Sequence, residues 1–197
     1  MLDTTDITPE EPPLPNSIRE DGGVVKAAAI LAAGNVVSRI LGLARETVKA
    51  SLFGASGLLA AYEIAAYIPI SLFDLIIGGM VNSSLVPVFS DYAPKERREE
   101  LWSVLSMVLS AATVLLLVVV GIVEIFTPQI AWLIGARNFT DPALTAVSIH
   151  LMRLAAPAVL FMSIASILTG ALYALKRFAI PAFIGAVLNG AIVIAAL

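Results

Sequence analysis

The sequence has no cysteine and one histidine, and only 14% of its 197 residues are charged. Without cysteine it has no disulfide framework and no thiolate metal site, and one histidine cannot form a histidine cluster. No nucleophile–base pair or set of metal ligands stands out, so we predict no catalytic residue, metal site or cofactor and do not expect an enzyme. No basic patch lies on a polar surface, so nucleic acid is not an expected partner.

Apolar residues dominate instead: 59% of the chain is hydrophobic, and its mean hydropathy is +0.94. Such values are typical of bilayer-spanning proteins and not of soluble domains. The apolar runs are long and continuous, which favours helices over the alternating pattern of transmembrane strands. We therefore predict an all-α, polytopic transmembrane helix bundle of about five spans.

The first 22 residues have a different composition, with six acidic residues and four prolines. They have little apolar surface to bury, so we predict a disordered, acidic, proline-rich cytoplasmic tail at 1–22 and a transmembrane domain at 23–197. A secretory signal is the competing interpretation, because Lys26 precedes an apolar run, but no clear cleavage site follows. The sequence is still apolar at Leu197, so we expect the chain to end within its last span and to be a fragment.

The apolar runs predict spans at about 24–43, 58–88, 101–126, 154–175 and from 180 onward. The second run is longer than the hydrocarbon core requires, so we predict breaks, and candidate hinges, at Pro69, Gly78 and Gly79. Residues 127–141 are predicted to form an exposed link, ending where Asp141 caps a new helix. Residues 176–177 are predicted to form a tight basic turn.

Loop charges predict the orientation. With the N-terminus inside, seven lysines and arginines lie on the cytoplasmic side and three on the outer side. The inner set is Arg19, Lys26, Lys95, Arg97, Arg98, Lys176 and Arg177, and the outer set is Arg45, Lys49 and Arg137. The excess of positive charge inside favours a cytoplasmic N-terminus.

The first span carries a polar, cationic ribbon. Read as a helix, one face holds Asn35, Arg39, Gly42 and Glu46, and the adjoining stripe holds Ser38, Gly42, Arg45 and Lys49. An arginine at the membrane centre costs roughly 2.5–3.5 kcal/mol on insertion scales, so we expect this ribbon to face a water-filled cavity or a partner. The alternative is that both arginines extend to the lipid headgroups from a helix end.

The second span carries two acidic residues on one face. Glu63, Tyr67, Asp74 and Gly78 share that face at helical spacing. We predict that Glu63 and Asp74 line the same cavity. A contact between helices through small and polar residues is the alternative reading of this span.

Several separated motifs together resemble the N-terminal part of the MurJ/MviN lipid II flippases, which belong to the MATE-like exporter superfamily. The first motifs in order are Asn35, Ser38-Arg39-Ile40-Leu41-Gly42, Arg45-Glu46, Phe53-Gly54-Ala55, Ile68-Pro69, Gly79 and Val86-Pro87-Val88-Phe89. Later ones are Leu151, Arg153, Pro157, Phe161, Gly170-Ala171-Leu172, Arg177-Phe178, Ile180-Pro181-Ala182-Phe183 and Asn189. The resemblance covers about residues 24–197.

The resemblance implies a bundle that holds most of the first lobe of a MATE-like transporter. It implies export of lipid II, the lipid-linked peptidoglycan precursor, from the cytoplasmic to the periplasmic leaflet by alternating access. It also implies a multi-pass protein of the bacterial inner membrane, whose partners are this lipid, membrane lipids and, as an open possibility, cell-wall synthesis proteins. The family's cavity arginines match Arg39 and Arg45, which would bind the diphosphate, since guanidinium groups hydrogen-bond phosphate oxygens in pairs.

Two positions depart from the family pattern. The family's acidic residue after Phe-Gly-Ala falls at Ala60, with Glu63 one turn on as a substitute, and an arginine of its second helix falls at Asp74. Two other functions therefore stay open. One is another transporter of the superfamily, either a polysaccharide-lipid flippase or a cation-coupled drug exporter, and the other is a non-transporting scaffold or degenerate paralogue.

Overall fold

The computed structural model describes residues 16–196 and consists of helices joined by short turns. Two π-helical segments, Asp74–Gly78 and Val81–Leu85, lie between α2 and α3, and short 3₁₀ turns occupy Lys95–Arg97 and Ala136–Asn138. The α-helices are α1 (Asn16–Phe53), α2 (Gly57–Phe73), α3 (Val86–Asp91), α4 (Arg98–Ile134), α5 (Pro142–Ala155), α6 (Ala158–Ala174) and α7 (Ala179–Ala196).

Within the described residues, four helical stretches are long and apolar enough to cross a membrane. They are Gly23–Phe53, Lys95–Ile134, Pro142–Ala174 and Ala179–Ala196, and the shorter apolar helix Gly57–Phe73 contributes to a fifth span. Large apolar side chains stay exposed along these helices, as expected where lipid and not protein covers them. The prediction of an all-α bundle with about five spans is confirmed, and the chain is a multi-pass membrane protein.

Helix α1 is longer than the predicted first span. It begins at Asn16, inside the range assigned to the tail, and its 38 residues reach Phe53. The other fifteen residues of the predicted tail, 1–15, lie outside the described part of the chain. At about 1.5 Å per residue α1 exceeds the thickness of a bilayer core, so it extends beyond the membrane.

The second span is not broken at Pro69, which was a predicted break. Helix α2 continues through Pro69, whose ring is buried, and remains regular to Phe73. The irregularity begins at Asp74, where hydrogen bonding changes to the wider π pattern for one turn, and a second π turn follows Gly79. The departure from α geometry therefore includes Gly78, one of the predicted break points. A hinge at any of these residues stays a prediction.

The exposed link predicted at 127–141 is wrong over its first half. Helix α4 runs on to Ile134, and Thr127 is fully buried. Pro128 has no N–H to donate to the carbonyl of Glu124, but the Thr127 hydroxyl donates to that oxygen at 3.2 Å and to the Val123 carbonyl at 2.7 Å. A threonine hydroxyl thus replaces the bond that proline removes, which is how membrane helices tolerate proline.

The segment from Asp141 to the start of α7 follows the sequence signals more closely. The carboxylate of Asp141 accepts from the Ala143 N–H at 2.8 Å, which confirms the predicted helix cap. A turn at Pro157 separates α5 from α6. Lys176 has a φ of 56°, a left-handed conformation that ends α6 and confirms the predicted tight turn before α7.

The core lies where the second span, α4 and the α5–α6 pair meet. One cluster joins the π-helical region and α3 to α4 and α6, and its fully buried side chains include Phe89, Leu101 and Ile167. Two smaller clusters extend it along α4 toward α2 and α5. Helix α1 packs chiefly against α7, beside this three-span core.

Candidate functional site

Small residues bring α1 and α7 into close contact. Gly34 lies against the backbone of Ala182, so closely that any Cβ at Gly34 would overlap its carbonyl group. One turn further, Ser38 contacts Gly185, and Asn189 donates its amide to the Ser38 carbonyl at 3.1 Å. Ser38, predicted to line a cavity, thus lies in a contact between helices. Small residues allow helices to approach closely in lipid, and the Asn189 amide adds a polar bond.

This contact determines which side of α1 remains free. Asn35 and Arg39, both predicted to line the cavity, lie outside the contact and are exposed. Among the side chains that the structure describes, none forms an ion pair with Arg39. No carboxylate of the described residues therefore neutralises the guanidinium of Arg39.

A network of four charges joins the end of α1 to α2. Arg45 pairs with Glu46 at 2.7 Å, Glu46 pairs with Lys49 at 2.9 Å, and Lys49 pairs with Glu63 of α2 at 2.9 Å. Three of these residues, Arg45, Glu46 and Glu63, were predicted from the sequence to line the cavity. The structure brings them together with Lys49 as the link between the two helices.

Lys49 is the best-shielded member of this network. Its side chain is 14% exposed, against 52% for Glu46 and 57% for Glu63. The ring of Tyr62 lies 5.5 Å from the ammonium nitrogen, close enough for a cation–π contact. The two cations and two anions balance, so the network holds Arg45 in place without adding net charge.

Removal of the Lys49 ammonium should loosen the junction between α1 and α2. A double-mutant cycle of Lys49→Met and Glu63→Gln is expected to give a coupling energy of about 0.5–1 kcal/mol, because the carboxylate is half exposed and solvent weakens the pair. Reversible unfolding of the reconstituted chain measures it. The control is the same cycle with Lys95→Met, a change at an exposed lysine, in place of Lys49→Met. A coupling energy at Lys49 no larger than that of the control would contradict the network.

Asp74 lies apart from the arginines. It lines an open pocket of about 530 Å³ between the second span and α6, and neither Arg39 nor Arg45 lines that pocket. Gly78 and Gly79, two of the candidate hinges, lie in the same wall. Glu63, predicted to line a cavity together with Asp74, is not among the residues that line this pocket.

A family model described as lipid II flippase MurJ matches residues 49–197, which is most of the chain. This chain belongs to the MurJ family. The predicted family resemblance is thereby confirmed, and no solved structure matches the chain.

Curated MurJ relatives agree with this membership. The "Probable lipid II flippase MurJ" of Buchnera aphidicola subsp. Acyrthosiphon pisum is 31% identical over 159 residues, which are 80% of this chain and 31% of the relative. The "Lipid II flippase MurJ" of Burkholderia cenocepacia is 30% identical over 164 residues, 82% of this chain and 31% of that protein. The chain thus spans about a third of the length of the curated relatives it matches.

The two arginines fall within the similarity to MurJ proteins, although the family model begins after them. The "Probable lipid II flippase MurJ" of Rickettsia prowazekii is 26% identical over 169 residues, which are 86% of this chain and 33% of the relative. A match of that extent must begin before Arg39, so it includes Arg39 and Arg45.

Sequence reasoning missed some contacts that this MurJ-family chain uses to build the site. Lys49 was noted as part of a polar stripe and as one of the outer cations. Its pairing with Glu63 depends on how α1 and α2 meet. The amide of Asn189 reaches α1 from the far end of the chain, and no local pattern indicates that. The spacing of Gly34, Ser38 and Gly42, four residues apart, is the signal that could have revealed the packing face of α1.

Proposed function

We propose that this chain is part of a flippase that moves lipid II across the bacterial inner membrane. Within that flippase it forms the region that corresponds to the matched third of its MurJ relatives. Family membership is the observation that carries the proposal. The relatives are named flippases, which are transporters and not enzymes. Because the chain spans about a third of those relatives, the activity is proposed for the protein encoded by the complete gene.

Arg39 and Arg45 are the proposed ligands of the lipid's diphosphate. Arg39 is exposed beside the α1–α7 contact and has no ion-pair partner among the described side chains. Arg45 is bound to Glu46, so a phosphate would have to share or displace that carboxylate. Arginine suits the role because it stays charged at any physiological pH and presents paired donors. We propose that Arg39 makes the stronger contact with the diphosphate and that Arg45, which is paired with Glu46, makes a weaker one.

The proposed cycle is alternating access with a cytoplasmic N-terminus. The polar head of the lipid enters from the inside, the diphosphate binds the α1 arginines, and the lobes then rock to open the cavity outward. The positive charge of the predicted inner loops favours this orientation.

Complementation tests the function. The complete gene, expressed in a bacterium depleted of its own lipid II flippase, should restore growth and normal cell shape. A matched strain that carries the empty vector is the control, and membrane fractions establish that the protein is present. Normal insertion without rescue would overturn the proposal in favour of a non-transporting paralogue.

A further inference from the structure

The pocket that contains Asp74 is not lined by Arg39 or Arg45, and the proposed diphosphate contacts do not involve it. Residues of two elements line it: Phe73, Asp74 and Gly79 belong to the second span, and Ser166, Thr169 and Tyr173 belong to α6. Its volume of about 530 Å³ is in the range of pockets that hold small organic molecules, roughly 300–1,000 Å³. The space is thus larger than a single ion requires.

Asp74 is the one charged side chain among the residues that line this space, and the hydroxyls of Ser166, Thr169 and Tyr173 are its other polar side-chain groups. No basic side chain within the described residues forms an ion pair with Asp74. The Thr169 hydroxyl donates to the Ala165 carbonyl at 2.7 Å, which uses its hydrogen and leaves the lone pairs of its oxygen to accept. An ionisable side chain within a membrane span is costly unless it has a partner or a function. The pocket therefore favours a ligand with a positive charge and hydrogen-bond donors.

The shape of the ligand follows from the remaining walls. Two of the lining residues, Phe73 and Tyr173, are aromatic. The face of an aromatic ring attracts a cation that lies over it. A Cβ added at Gly79 would meet no atom within 4 Å, so the pocket is open on that side. Residues 73–79 thus combine one negative charge, aromatic surface and free volume.

Metal ions fit this arrangement poorly. No group of three His, Cys, Asp or Glu side chains suited to a metal occurs in the part of the chain that the structure describes. Calcium and magnesium need about six or more oxygen ligands at short distance, and a single carboxylate in a wide pocket does not supply them. We propose that the pocket between the second span and α6 binds an organic ammonium ion, whose charge pairs with Asp74 and whose apolar part lies against Phe73 and Tyr173.

Direct binding tests this proposal independently of lipid flipping. The full chain in lipid nanodiscs is titrated with 4-fluorobenzylammonium and followed by fluorine NMR, with 4-fluorobenzyl alcohol as the neutral counterpart. We expect saturable binding of the ammonium and only unsaturable partitioning of the alcohol. Equal saturable binding of both probes would overturn the proposal, because the charge would then contribute nothing.

Three variants locate the binding. Asp74→Asn keeps the shape and removes the charge, and should weaken binding at least about tenfold, as expected for a lost charged hydrogen bond. Gly79→Leu keeps the charge and fills the open side, and should weaken binding similarly. Asp91→Asn, at an exposed position away from the pocket, should bind as the unaltered chain does. Unchanged affinity in Asp74→Asn, or full competition by equimolar sodium ions, would overturn the ammonium site.

Discussion

Arg39→Ala, made in the complete gene, is expected to lower lipid II flipping by about ten- to a hundredfold, because it removes a charge-assisted contact worth roughly 1.5–3 kcal/mol. Of the two proposed ligands, Arg39 and Arg45, only Arg39 has no ion-pair partner among the described side chains. The measurement is the rate at which lipid II becomes accessible on the outer face of the membrane. The flipping rate of Arg39→Lys should lie between those of the unaltered protein and Arg39→Ala, since lysine keeps the charge but not the paired donors.

Arg177→Ala is the matched control for Arg39. Arg177 is an exposed arginine in the turn between α6 and α7, away from the α1 ribbon. Its removal should leave the flipping rate unchanged within error. A rate in Arg39→Ala equal to that of the control would exclude Arg39 as a ligand of the transported lipid.

Gly34→Leu is expected to separate α1 from α7. The first side-chain carbon at this position would overlap the Ala182 carbonyl, and backbone atoms cannot rotate away as a flexible side chain could. Overpacking usually costs about 1–3 kcal/mol, and we expect the upper part of that range here. Because the chain has no cysteine, a single introduced pair can report on the contact without interference.

The pair Ser38→Cys and Gly185→Cys provides this measurement. A Cβ at Gly185 would lie 3.4 Å from the Cβ of Ser38, close to the separation found in disulfides, about 3.5–4.5 Å. Mild oxidation should cross-link the pair in the otherwise unaltered chain and fail to do so when Gly34→Leu is added. Gly23→Leu is the control, since a side chain there meets nothing within 4 Å. Undiminished cross-linking in the Gly34 variant would show that α1 and α7 do not pack as described.

The parts of this fold that sequence reasoning predicted depend on local signals. Long apolar runs predict spans because the bilayer sets their length, and Asp141 predicts a helix start because its carboxylate caps the next turn. The error at 127–134 came from ending the third span at 126, which placed Thr127 and Pro128 in the link. A threonine before proline can supply the missing donor, so that error had a recognisable local cause.

The unpredicted parts depend on contacts between distant segments. Asn189 meets Ser38 only because α7 returns to α1, and Asp74 shares a pocket with Thr169 only because α6 lies beside the second span. Helical spacing placed Glu63 and Asp74 on one face, yet Glu63 pairs with Lys49 while Asp74 lines the pocket. Spacing gives a direction around one helix and does not identify the neighbour in that direction.

The two π turns change which residues of the second span lie on the same helix face. A π turn accommodates roughly one more residue than an α turn, so each one rotates the following residues by about 100°. After both turns, the side chains of α3 point more than half a revolution away from the directions they would have if α2 continued as a regular α-helix. A helical wheel for this span must therefore be restarted after Leu85. Deleting one residue between Asp74 and Gly78 would turn Phe89, now fully buried, away from α4 and α6.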